Sequence, residues 1–165
     1  MATVRGPSAI ETAFAGLLRD AGLATVAELT DALVESHASG RAVDEILAVD
    51  AAELRAVMSH AWRIPVIDLA NDWIDVDLVR RWEGSAYIEQ RWLPVRDQAD
   101  GSVLVATSRE PEPELTAAIE GVVTSRVAYA ATTSADIRAA VERAFATAPV
   151  IRSWRLARRV PRTRD

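Results

Sequence analysis

One stretch, residues 91–107, most narrows what this chain can fold into. Trp92-Leu93-Pro94-Val95 and Val103-Leu104-Val105-Ala106-Thr107 are short apolar runs, and the polar segment between them ends in Asp100-Gly101. Gly accepts the positive φ of a tight turn, so the pattern predicts a β-hairpin. The second run is almost continuously apolar, which predicts a strand buried on both faces. Pro94 has no N–H to give to a ladder, so the first strand should lie at a sheet edge there.

Before the hairpin the pattern is helical. Ser8-Ala9-Ile10-Glu11 and Thr25-Val26-Ala27-Glu28 have the form of capping boxes. Ile10, Phe14, Leu17 and Leu18 share one face of a first helix, which Gly22 ends as a left-handed cap. Val26, Leu29 and Leu33 form the stripe of a second helix, which should stop near Gly40. Val43, Ile46 and Leu47 suggest a short helix. Asp50 opens another, with Leu54, Val57, Met58, Ala61 and Trp62 turned inward and His60 half-buried beside them. At Ile64-Pro65-Val66-Ile67-Asp68-Leu69 the rhythm breaks, because Pro65 forces extended backbone and the β-branched residues suit a short strand.

Beyond that point Asp75 caps a helix running through Leu78, Val79 and Trp82. After the hairpin, Pro111 and Pro113 stand where a first helical turn tolerates them, and Leu115, Ala118, Ile119 and Val122 give that helix its inner face. Residues 125–131 read as a strand. A last helix turns Ile137, Ala140, Val141 and Phe145 inward and ends at Ala148-Pro149. The fold class is therefore α+β. A helical bundle over 1–63 packs on a small mixed α/β unit over 64–147, with three or four strands and helices on one face. Residues 148–165 form an Arg-rich, flexible tail.

Charge divides the chain at the same place. Every basic residue is Arg. Residues 1–151 carry 13 Arg against 23 acidic groups, a net of −10, whereas residues 152–165 carry six Arg against Asp165, a net of +5. The body should repel nucleic acid, while the tail, with Arg155, Arg158 and Arg159, can meet an anionic membrane surface. There is no Cys, which excludes disulfides and thiolate metal sites. No apolar run approaches the ~20 residues that span a bilayer, and the first residues lack the apolar core of a secretory signal. The expected location is the cytoplasm, including the inner face of the membrane.

The order of these segments resembles the amino-terminal domain of type II secretion and type IV pilus assembly ATPases. The residues that carry the likeness are Leu17-Leu18-Arg19-Asp20-Ala21-Gly22-Leu23 with Leu29 and Leu33, then Ile64-Pro65-Val66-Ile67-Asp68-Leu69. The hairpin runs follow, then the Pro-started helix, the strand, and Ser134-Ala135-Asp136-Ile137. The likeness spans roughly residues 10–146 and implies an accessory module rather than an enzyme. A similar module is attached to membrane-bound family-two glycosyltransferases of bacteria, and the Trp-rich, Arg-tailed form here is closer to those.

Some members of the family bind cyclic di-GMP through two motifs that each begin Arg-Leu-Gly. Arg would pair with phosphate or guanine edges, and Gly would let the ligand approach the backbone. Here the first motif falls on Ala13-Phe14-Ala15, and the second on Ala42-Val43-Asp44, one residue after Arg41. Ser36 stands where a Gln is usual. Cyclic di-GMP is therefore not the expected ligand. If a dinucleotide did bind, Gly22, Leu23 and Arg41 are what the motifs retain.

Elsewhere no Gly-rich phosphate loop, nucleophile–base pair or metal-ligating cluster stands out, so no cofactor and no catalytic residue is expected. Ser108-Arg109 precedes a helix, a position suited to anions, but Glu110, Glu112 and Glu114 crowd the same end. Tyr87, Trp82 and Trp92 either form an aromatic patch for a partner or line the seam between bundle and sheet. The expectation is a non-catalytic module whose partner is a protein or the catalytic domain of a larger assembly.

Overall fold

The computed structural model describes residues 9–146. Its elements are α1 (Ala9–Asp20), α2 (Val26–Ser39), α3 (Val43–Ile46), α4 (Ala51–Trp62), α5 (Val76–Val79), α6 (Gly84–Gln90), β1 (Trp92–Asp97), β2 (Val103–Thr107), α7 (Pro113–Val123), β3 (Val127–Ala131) and α8 (Ser134–Ala146). The three strands form one mixed sheet in the order β1-β2-β3. β1 pairs antiparallel with β2, and β3 returns parallel to β2 after the α7 crossover.

The hairpin closes as its turn residues require. Gly101 has φ 84°, and the Asp100 carboxylate accepts from the N–H and hydroxyl of Ser102. Those bonds hold the Asp100 carboxyl below its ordinary value. β1 is an edge strand, and its register with β2 shifts between Pro94 and Arg96. The shift is a bulge at Val95, whose carbonyl accepts the N–H of Asp75 at 2.8 Å. The same edge is held by Arg96, which donates to the Trp73 carbonyl at 2.8 Å. Both bonds cover an edge that Pro94 already leaves short of donors.

All five residues of β2 are buried. Successive strand residues face opposite sides, so both faces of the sheet are covered at β2 rather than one. The phenol of Tyr129 on β3 meets Thr116 of α7 at 2.8 Å, placing α7 over the face that Tyr129 shares with its partner Val105. The expected strand over 64–69 is reduced to one bridge, Val66 to Ala131. The segment lies against the outer edge of β3, where Ile67 N–H donates to the Ala131 carbonyl and Ala131 N–H to that of Pro65.

The bundle follows its caps. Thr25 and Glu28 form the reciprocal capping box, Gly40 closes α2 at φ 74°, and Asp50 caps α4. Gly22 turns the chain between α1 and α2 at φ 71°. Phe14, Leu18, Leu29, Val43, Leu54 and Met58 make the bundle core, which also takes in Ala131 of β3. Three inward expectations fail here: Val26 at the start of α2 is 65 % exposed, and His60 and Ala61 lie on the outer side of α4. Phe145, Val122 and Ala118 also reach solvent on α8 and α7, where Ala144, Val123 and Leu115 fill the core instead.

Candidate functional site

The bundle and the sheet meet across a buried polar seam. Glu11 on α1 and Arg91, the residue between α6 and β1, form an ion pair with both side chains at least nine-tenths buried. Arg91 takes a left-handed conformation, φ 64°, as the C-cap of α6. That turn sends its side chain toward α1 rather than along the strand. The second Glu11 oxygen accepts the N–H of Val43 at 2.9 Å, which ties α1 to α3. Burial lowers Arg91 to about 10, with the nearby Arg109 charge acting the same way, so it remains a cation at neutral pH.

The seam continues through Asp44. Its carboxylate accepts the N–H of Ser134 at the start of α8, at 2.8 Å. The Ser134 hydroxyl meets that of Ser108 at 2.9 Å, and Ser108 N–H donates to the Arg91 carbonyl. Glu11, Arg91, Ser108, Ser134 and Asp44 thus form one connected path from α1 to α8. Desolvation raises the Asp44 carboxyl to about 6, opposed by the Ser134 N–H. Two further pairs flank it. Glu45 receives Arg138 of α8 through two bonds, at 2.9 and 3.2 Å, and Arg55 of α4 reaches Asp136 at 3.1 Å.

This arrangement positions elements; it offers no nucleophile beside a base and no open cation site. Among the described residues no group of three or more His, Asp or Glu is placed to hold a metal, and no helix is long and apolar enough to cross a membrane. Two depressions lie between helices of the bundle and the rest of the described residues, the first edged by seam residues and the second not. A groove of about 880 Å³ lies between the α2–α3 connection and α6, edged by Arg41, Glu45, Arg91 and Arg138. A cleft of about 450 Å³ lies between α1, the end of α4 and the 109–114 loop.

The residues singled out by sequence are scattered. Arg41 reaches the groove and pairs with Glu45 at 3.7 Å. Gly22 and Leu23 sit at the other end of α2, whose 14 residues set them roughly 20 Å away. The three do not converge on one site. Tyr87 and Trp92 are buried and meet edge to face, with centroids 5.3 Å apart. The Tyr87 hydroxyl donates to the Val79 carbonyl. They belong to the sheet core, not to a surface patch or the seam, and Trp82 packs half-buried against that same core. The most exposed aromatic among the described residues is instead Trp73, at 66 %. Arg155, Arg158 and Arg159 lie outside the described residues.

Sequence reasoning missed the seam. Glu11 reads as a helix-capping acid, Asp44 as a lost glycine, and Arg91 only as the first residue of the hairpin stretch. The one available signal was that Glu11 lies three, four and seven residues before Phe14, Ala15 and Leu18, on the face that α1 buries.

No curated protein matches the sequence. The structure of MshE with cdg matches with a TM-score of 0.50 and 19% identity, covering 79% of this chain and 96% of that one. The N-terminal domain of XpsE aligns with a TM-score of 0.49 and 15% identity, over 84% of this chain and 98% of that one. The MshEN domain itself matches residues 62–150, more than half of the sequence and the part that holds the hairpin, the α7 crossover and α8. The chain therefore belongs to the MshEN domain family.

Proposed function

We propose that this domain is a non-catalytic accessory module, held against the catalytic part of a larger assembly such as a secretion or pilus ATPase or a membrane-bound glycosyltransferase. The observation that carries this reading is what occupies the two Arg-Leu-Gly positions. Phe14, Ala15 and Val43 are buried in the bundle core, and Asp44 is bonded to the start of α8. Ala13 and Ala42 stand where guanidinium groups would be needed. Positions that would contact a ligand serve here to fill the bundle core and to tie α3 to α8.

MshE is seen with cdg, the dinucleotide cyclic di-GMP. A sensor of that ligand is the competing reading, and thermal unfolding of the full chain separates the two. A ligand present at about 100 times its Kd adds about 2.7 kcal/mol of stability, a rise of several degrees in Tm. The docking reading predicts the same Tm with and without millimolar cyclic di-GMP. A clear rise would favour the sensor.

A further inference from the structure

We propose that the cleft between α1, the end of α4 and the 109–114 loop is a docking site for the chain's own Arg-rich segment, residues 150–159. The floor of the cleft is apolar, with half-buried Ile10, Leu17 and Trp62. Its rim carries Glu110, Glu112 and Glu114, all exposed and none with an ion-pair partner among the described residues. Arg109 shares the rim, so its four charged groups sum to −2. A surface of this kind fits a segment that brings apolar anchors between guanidinium groups.

The chain supplies such a segment. Val150-Ile151-Arg152-Ser153-Trp154-Arg155-Leu156-Ala157-Arg158-Arg159 sets Ile151, Trp154 and Leu156 among four Arg. From Ala146 to Trp154 is eight residues, which reach at most about 29 Å when extended. The 13 residues of α8 set Ala146 roughly 18 Å from Ser134, whose hydroxyl touches that of Ser108 beside the rim residue Arg109, so the extended tether exceeds that distance. Tethering holds the segment at an effective concentration near the millimolar range, so a weak site is enough. This docking goes beyond the accessory reading and does not depend on it.

The test is limited tryptic digestion of the full chain at low ionic strength, with cleavage after Arg152, Arg155 and Arg158 followed by mass spectrometry. A synthetic peptide of residues 148–165 gives the unprotected rate. The expected result is cleavage about tenfold slower in the full chain than in the peptide, since slow cleavage tracks the released population. Glu110→Gln/Glu112→Gln/Glu114→Gln and, separately, Trp154→Ala should each restore the peptide rate. Circular dichroism establishes that both variants are folded. Equal rates in chain and peptide overturn the proposal. So does protection that survives the triple variant, and so does protection that grows with protein concentration, which would assign the segment to a second copy.

Discussion

Glu11 and Arg91 are joined as an ion pair inside the protein, one from the first helix and the other from the entrance to the sheet. The chain places Arg91 there by turning it left-handed at the end of α6. With Val43 N–H on the second carboxylate oxygen, the pair fixes α1, α3 and β1 to one another.

Removing one partner should therefore cost much more than removing both. Arg91→Met alone leaves a buried carboxylate, and Glu11→Leu alone leaves a buried guanidinium. Each should lower unfolding stability by about 3–5 kcal/mol. The Glu11→Leu/Arg91→Met pair should lose markedly less than the sum, retaining chiefly the cost of the orphaned Val43 N–H, about 1–3 kcal/mol. Urea unfolding of the four proteins gives the coupling energy directly.

Asp44 should make stability depend on pH in the direction opposite to most carboxylates. Its folded value, about 6, lies above the ordinary 3.8 because burial penalises the charge. The folded chain thus holds the proton more tightly than the unfolded chain. The stabilisation is complete below pH ~3.8 and is lost as pH rises through ~6. Roughly two pKa units correspond to about 3 kcal/mol. Glu45 beside Asp44 acts in the same direction, and the Ser134 N–H opposes it. Asp44→Asn should remove this dependence, so the wild type should gain up to about 3 kcal/mol on the variant between pH 7 and pH 4. A constant difference would show that Asp44 does not titrate there.

Two glycines in helices should respond oppositely to alanine. A Cβ at Gly84 would stand 2.7 Å from Val141 Cγ1 and 3.0 Å from Phe145 Cε2, at the contact of α6 with α8. Gly84→Ala should destabilise by about 1–3 kcal/mol. Gly16, inside α1, has nothing within 4 Å of its Cβ position. Gly16→Ala should stabilise by about 0.5–1 kcal/mol through helix propensity. Thermal melts of the two variants beside the wild type measure both shifts.

What could be read from the sequence was local. The Asp100-Gly101 turn, the doubly buried β2, the edge position of Pro94 and the caps at Thr25, Gly40, Asp50 and Asp75 each depend on a few adjacent residues, and all appear in the structure. The seam depends on distant partners. Nothing near Glu11 announces Arg91, and nothing near Asp44 announces Ser134. The aromatic residues show the same limit, since periodicity does not say that Tyr87 and Trp92 pack on each other while Trp73 faces solvent. The 64–69 segment has strand residues but forms only one bridge, to Ala131 on the outer edge of β3, so β propensity alone did not set its length.

The most direct test of the central claim is calorimetric titration of cyclic di-GMP into the full chain, with Arg41→Ala measured alongside. With methyl groups at positions 13 and 42, the account predicts no saturable heat up to about 100 μM ligand, where a micromolar site would be nearly filled. Saturable micromolar binding that Arg41→Ala weakens would contradict it, and would make the groove between α2 and α6 a nucleotide site.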